Sequence, residues 1–255
     1  MSGRKTYPRG QSHLWFPQIV GQSPIAWTKD AVVPSLTVEN YLKTIYQIVA
    51  QQGGTPAATG RIAAALGVSP GTVTSMLKTL SESKLATYMP YEGAQLTPSG
   101  ATLALRILRR HRLIELFLAR TLDMSWDEVH EEAEHIEHAV SDLLVDRIDA
   151  HLGYPAVDPH GDPIPKADGS VDAPEAHTLA SRAAGDRFRL ARVIDQSPEF
   201  LRYLSETGLG VGTEGEVVSN RSEAGVVVIR VGKVETTLGH EAAGKILVSG
   251  LESSL

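Results

Sequence analysis

Residues 130–138, His-Glu-Glu-Ala-Glu-His-Ile-Glu-His, place three imidazoles and four carboxylates in nine positions. At about 100° per residue, His130, Glu134, Glu137 and His138 fall on one face of a single helix. Side chains of these types converging on one spot can hold a divalent cation. Without one they are polar groups that need other partners. Upstream, His111 and Glu115 are spaced i and i+4, which puts them on one face of a second helix. A lone histidine is more often a surface or capping group than a ligand, but two successive helices that each offer paired His and Glu point to a metal. Carboxylate and imidazole without sulfur favour Mn(II) or Fe(II) over Cu(I), while zinc and other ions of the affinity series also bind such sets.

Periodicity and punctuation outline the elements that must carry these groups. Residues 1–35 mix Gly, Pro, Gln and isolated aromatics without periodicity and form a tail, with Pro34 marking its end. Thr37 then caps a helix whose apolar positions Val38, Tyr41, Leu42, Ile45, Ile48 and Val49 keep the 3.6-residue period until Gly53-Gly54. A short helix at 59–66, a turn at Gly67-Val68-Ser69, and a helix opened by Ser69-Pro70 and running to about 83 come next. Residues 87–91 and 94–97 pair as a hairpin around Glu92-Gly93. Thr97-Pro98 launches a long helix to about 122. Ser125 with Glu128 forms a capping box for the metal-bearing helix, which runs to about 151. Residues 153–172, dense in Pro, Gly and Asp, have the composition of a linker. Beyond them a strand at 187–193, a short helix from Ser197-Pro198 to about 206, and β segments at 215–219, 226–231 and 245–248 suggest a small β-barrel. The fold class is mainly α with small β.

Composition bounds the chemistry. The 255 residues hold no cysteine, which excludes disulfides, thiolate nucleophiles, iron–sulfur clusters and cysteine-type zinc sites and suits a reducing cytoplasm. No apolar h-region and no long apolar run is present, so neither a secretory signal nor a membrane span is expected. The net charge of −6 is segregated. Residues 36–115 hold eight Lys/Arg against four Asp/Glu, and residues 116–177 hold three against fifteen. A mildly basic block before a strongly acidic one suits a polyanion-facing module followed by a cation-attracting one.

Two short helices joined by a Gly-containing turn, followed by a hairpin, make a winged helix–turn–helix that binds double-stranded DNA. The helix from Ser69 carries small polar residues at its N-terminal end: Ser69, Gly71, Thr72, Thr74 and Ser75. These allow close approach to base edges, while Val73, Leu77 and Leu80 form its buried side. Its first amides can donate to phosphate. Arg61, Lys78 and Lys84 are expected phosphate contacts, giving affinity and salt dependence but little discrimination. So modest a positive balance argues for a homodimer on the DNA.

Several motifs in order resemble the diphtheria toxin repressor family, including its manganese transport regulator branch. They are Glu39-Asn-Tyr-Leu-Lys-Thr-Ile-Tyr46, the helix–turn–helix, Leu96-Thr97-Pro-Ser-Gly100, Arg110-His-Arg-Leu-Ile-Glu115, Glu134-His-Ile-Glu-His138 and Asp158-Pro-His-Gly-Asp-Pro-Ile-Pro165. The resemblance covers residues 36–165 and, more loosely, the C-terminal β module. It implies a metal-activated transcriptional repressor, cytoplasmic and without a small-molecule substrate, that represses metal-uptake genes by binding palindromic operators. Its domains would be a winged helix–turn–helix at 36–98, a helical metal-binding and dimerisation domain at 99–153, a linker at 154–181 and an SH3-like β-barrel at 182–255. Two metal sites per subunit are implied. The primary one would use Asn40, Glu134, Glu137 and His138. Here Glu134 in place of cysteine is similar to the manganese branch, Asn40 replaces the usual Met or Asp, and Glu39 is its neighbour. The ancillary one would use His111, Glu115 and His130 with Gln196 and Glu199 from the SH3-like domain.

Two rival readings draw on the same residues. Bundles carrying Glu and Glu-x-x-His on facing helices form di-metal carboxylate enzymes, but these need two matched helix pairs and have no use for a winged helix. An SH3-like regulator of a metal transporter accounts for residues 182–255 and leaves 36–100 unexplained.

Overall fold

Ser35, rather than Thr37, opens the first helix. Its hydroxyl accepts from the Val38 N–H at 3.5 Å, and α1 spans Leu36–Gln51. This computed structural model describes residues 35–172 and 174–251, so the tail reading of residues 1–34 lies outside the described residues. On α1, Tyr41, Leu42, Ile45 and Ile48 are buried. They pack against α2 (Thr59–Leu66) and α3 (Pro70–Glu82), which contribute Ile62, Val73, Leu77 and Leu80 to the same core. Ser69 caps α3 by accepting from Thr72 N–H at 3.1 Å, with Pro70 at the first position, where no N–H is needed. Strands β1 (Ala86–Met89) and β2 (Gly93–Leu96) pair antiparallel from Ala86 opposite Leu96 to Met89 opposite Gly93. The wing is therefore shorter than the periodicity suggested.

Helix α4 (Pro98–Thr121), begun by the Thr97 cap, is about 36 Å long at 1.5 Å per residue. Its first half adds Ala104, Leu105, Ile107 and Leu108 to the winged-helix core. Its second half packs Leu113 and Leu116 toward α6 (Asp142–His151) and Ile114 and Leu118 toward α5 (Val129–Ile136). Arg109, Arg110, His111, Arg112 and Glu115 are buried as well. Each of these polar groups then needs a partner inside the protein.

The single metal-bearing helix expected from Ser125 to residue 151 is two helices. Glu128 accepts from Ser125 N–H at 3.1 Å and from its hydroxyl at 2.6 Å, yet α5 starts only at Val129 because the reciprocal cap bond is replaced by Glu128 N–H to the Ser125 carbonyl. At the other end Ser141 starts a new helix, its hydroxyl accepting from Leu144 N–H at 3.3 Å. Residues 137–140 turn between them, with Glu137 still helical as the C-cap of α5 and its N–H donating to the Ala133 carbonyl at 2.9 Å.

The segment at 153–172 is packed rather than extended as a linker. Asp158 Oδ1 accepts from the N–H groups of His160 at 2.8 Å and Asp162 at 2.9 Å, folding a tight turn whose Asp158, His160, Asp162 and Ile164 are buried. Arg112 donates to the Pro163 carbonyl at 2.5 Å, and Val193 N–H donates to the His160 carbonyl at 2.9 Å. The loop is thereby pinned to α4 and to the C-terminal sheet. Gly161 sits at φ +84°, with a would-be Cβ 2.0 Å from the Ala191 carbonyl oxygen. Gly161→Ala is expected to cost about 1–3 kcal/mol through backbone strain alone, more with the clash, read as a lowered melting temperature. An unchanged melting curve would contradict this packing.

The C-terminal sheet has strand order β3-β8-β4-β5-β6-β7, antiparallel throughout, from β3 (His177–Thr178), β4 (Arg187–Val193), β5 (Glu214–Arg221), β6 (Val226–Val231), β7 (Val234–Gly239) and β8 (Ile246–Gly250). Bulges at Leu190/Arg192 and Val217/Ser219 bend it around Phe188, Leu190, Val217, Val227 and Ile229, as in an SH3-like domain. Helix α7 (Pro198–Glu206) seals one side, and the short α8 (His240–Gly244) leads into β8. Among the described residues no helix is long and apolar enough to cross a membrane.

Candidate functional site

Three elements bring charged and imidazole groups to one junction. Glu39, Asn40 and Lys43 come from α1, Arg110, His111 and Glu115 from α4, and His130, Glu134, Glu137 and His138 from α5 and the turn after it. Glu137 is fully buried. Its Oε2 lies 2.7 Å from His111 Nδ1, and its Oε1 lies 2.8 Å from Lys43 Nζ and 3.1 Å from His138 Nε2. Glu134 Oε1 accepts from Lys43 Nζ at 2.5 Å and stands 3.8 Å from His111 Nδ1. His138 Nδ1 is 2.6 Å from Glu39 Oε2, so Glu39, the neighbour of Asn40, reaches the cluster as well.

Asn40 Oδ1 is buried without a hydrogen-bond partner. With Glu134 and His138 it lines an open cleft of about 530 Å³. A buried amide oxygen that lacks a donor, beside carboxylates and an imidazole, is the environment a hard divalent cation satisfies. The residues present therefore fit Mn(II) or Fe(II).

A second group centres on the buried Glu115. Its Oε1 is 3.0 Å from His111 Nε2 and 3.0 Å from His130 Nδ1, while its Oε2 is 3.9 Å from His160 Nδ1. Ligand atoms of His111, Glu115 and His130 lie within 4.8 Å of one another, as do those of His111, Glu134 and Glu137, and those of Glu115, Asp158 and His160. The last set was not expected. His160 Nε2 donates to the Trp126 carbonyl at 2.7 Å, leaving a buried Nδ1 without a partner on the Glu115 side. The two residues expected from the SH3-like domain are not brought in. Gln196 donates to Asp162 Oδ2 at 2.7 Å, and the Glu199 side chain is 81% exposed, paired with Arg202 on the outer turn of α7. The loop of Asp158 and His160 takes the place beside Glu115 instead.

The electrostatics of the junction follow from its burial. Desolvation alone would lower the pKa of His111, but the charge and hydrogen bond of Glu115, with Glu137, push it up to about 9. Burial would raise Glu115, yet His111, helped by His130 and His160, holds it well below the usual carboxylate range. Glu137 is lowered too, its burial outweighed by His111 and Lys43. Asp158 goes the other way: burial, then Asp162 and Glu115, drive it well above the usual range against the pull of Arg112.

In the winged domain, Ser69, Gly71, Thr72, Ser75 and Lys78 are exposed along α3, while Val73, Leu77 and Leu80 are buried. Thr74 is half-buried, and its hydroxyl donates back to the Pro70 carbonyl at 3.0 Å. Arg61 is exposed and donates to Gln52 Oε1 at 2.8 Å. Tyr91, expected as the last residue of the first wing strand, lies instead in the turn after β1 and is fully exposed.

Residues 35–94 match the family model described as the iron-dependent repressor N-terminal DNA-binding domain, and residues 97–166 match the iron-dependent repressor metal-binding and dimerisation domain. Residues 177–250 match the FeoA domain. The chain belongs to the iron-dependent repressor family. The iron-dependent repressor IdeR of Mycobacterium leprae is 32% identical over 227 residues, covering 83% of this chain and 96% of that protein. The transcriptional regulator MntR of Geobacillus kaustophilus is 35% identical over 122 residues, 48% of this chain and 84% of that one. Among solved structures, a manganese-dependent transcriptional repressor in complex with manganese is 40% identical with a TM-score of 0.77, covering 84% of this chain and all of that one. Members of the iron-dependent repressor family are transcriptional repressors, not enzymes, so the di-metal enzyme reading falls away. The transporter-regulator reading, drawn from the C-terminal domain alone, gives way to an assignment that accounts for all three modules.

Proposed function

We propose that this chain is a Mn(II)- or Fe(II)-responsive repressor that grips a two-fold symmetric operator as a homodimer. The observation that carries the reading is the shared cleft. Asn40, on the first helix of the winged domain, lines it together with Glu134 and His138 of the metal-binding domain. Asn40, Glu134, Glu137 and His138 would hold the primary ion. Glu115 would centre a second position, between His111 and His130 on one side and Asp158 and His160 on the other. When bound, the ion supplies positive charge and a fixed coordination shell. Asn40 would then tie α1 to the acidic turn, and the ion would supply positive charge to Glu134 and Glu137. In a dimer the resulting angle sets the spacing of the two α3 helices, which must match major grooves about 34–36 Å apart.

Nuclease protection tests this on a duplex selected from random DNA by the Mn(II)-loaded chain. A symmetric footprint is expected with Mn(II) and none in chelator, whereas no footprint at any metal concentration would overturn the reading. On the same duplex, Ser75→Ala and Thr72→Ala are each expected to cut discrimination against random DNA by about 1–3 kcal/mol. Lys78→Ala should weaken both duplexes alike and reduce the salt slope by about 1. Equal losses on both duplexes for all three variants would refute α3 as the reading element.

A further inference from the structure

Lys43 has no place in the ligand sets above, yet it occupies their centre. It lies four residues after Glu39 and three after Asn40, on the same face of α1. Its side chain is 7% exposed, and its Nζ donates to Glu134 Oε1 at 2.5 Å and to Glu137 Oε1 at 2.8 Å. Glu137, fully buried, would be a costly lone charge without a cation beside it. The two carboxylates proposed as metal ligands thus share one ammonium from the DNA-binding domain.

Resting on the proposed primary site, we infer that Lys43 is a tethered cation that competes with the metal for Glu134 and Glu137 and so sets the concentration at which the repressor responds. A charged ammonium has three donors and no lone pair, so it cannot join the coordination shell. Lys43 and the ion would draw on the same two carboxylates, so occupancy by one would disfavour the other. If the ammonium holds the carboxylates 99% of the time, the apparent metal affinity falls by about a hundredfold. The remaining groups around the pair, His111, His138, Glu39 and Arg110, stay on either side of it. Lys43 therefore links reading head and metal domain in the metal-free state, and metal exchanges one link for another.

Calorimetric titration of the full metal-free chain with Mn(II) tests this. Lys43→Met, matched in length and apolar, is expected to bind Mn(II) at least about tenfold more tightly than the parent, while Lys43→Arg stays at or below parent affinity. Equal or weaker binding by Lys43→Met would overturn the inference. A second measurement needs no variant: acetylation of Lys43 in the parent chain, read by mass spectrometry, is expected to rise when Mn(II) is added. Unchanged labelling would overturn it as well. Glu137→Gln separates the two levels. If it leaves two equivalents of Mn(II) bound, the primary site itself is wrong; if it removes one equivalent while Lys43→Met changes nothing, only the competition fails.

Discussion

Glu137→Gln is expected to remove the metal-dependent gain in DNA affinity altogether. The substitution preserves shape but replaces the one carboxylate that contacts Lys43, His111 and His138 together. A ligand present at 100 times its Kd, bound only by the DNA-competent arrangement, contributes about 2.7 kcal/mol, or roughly a hundredfold in affinity. Losing the ligand oxygen forfeits that whole factor, and His138→Ala should do the same from the imidazole side. Electrophoretic mobility shift of the selected duplex against Mn(II) reads it directly. Retained metal stimulation in either variant would remove these residues from the site.

The second large effect is expected at Glu115. Its two oxygens face different imidazoles: one stands 3.0 Å from both His111 and His130, the other 3.9 Å from His160. Glu115→Gln removes the charge that organises both sides. The Mn(II) stoichiometry should drop from two per chain to one, with the Asn40–Glu134–Glu137–His138 position keeping its affinity. Two full equivalents in the variant would mean that the second ion sits elsewhere. Burial makes the same residue structural, so the variant is expected to melt lower in chelator as well. Breaking a buried charged set typically costs about 3–5 kcal/mol.

Much of this architecture was legible because its signals are local. Ser69-Pro70 and Thr97-Pro98 each combine a side-chain acceptor with a residue that needs no N–H, and both helices begin there. The stripe of Tyr41, Leu42, Ile45 and Ile48 and the Val73–Leu77–Leu80 face needed only the helical period. The break after Ile136 was missed because the His/Glu spacing continues across it, although Ser141-Asp142 carried a start signal of its own. Strand β7, Val234–Gly239, was overlooked because only Leu238 of its residues is buried, which leaves little alternation to see.

At the site, residue types were readable but partners were not. The i,i+4 pair of His111 and Glu115 stands out in one dimension. The contact of Lys43 with residues 91 and 94 positions away does not. Asp158 and His160 sit in a stretch whose Pro and Gly content imitates a linker, and only the three-dimensional turn built on Asp158 Oδ1 shows why those residues are buried. Gln196 bonds to Asp162 and Glu199 is exposed in this structure, placements that a linear comparison of turns does not specify.

The central claim is that metal at the junction of α1 with the acidic turn controls the hold on DNA. It is tested most directly by fluorescence anisotropy of the selected duplex titrated with one anaerobic preparation of the parent chain, in chelator and at saturating Mn(II). The metal-loaded chain is expected to bind roughly a hundredfold more tightly. Equal affinity in the two conditions would contradict the account.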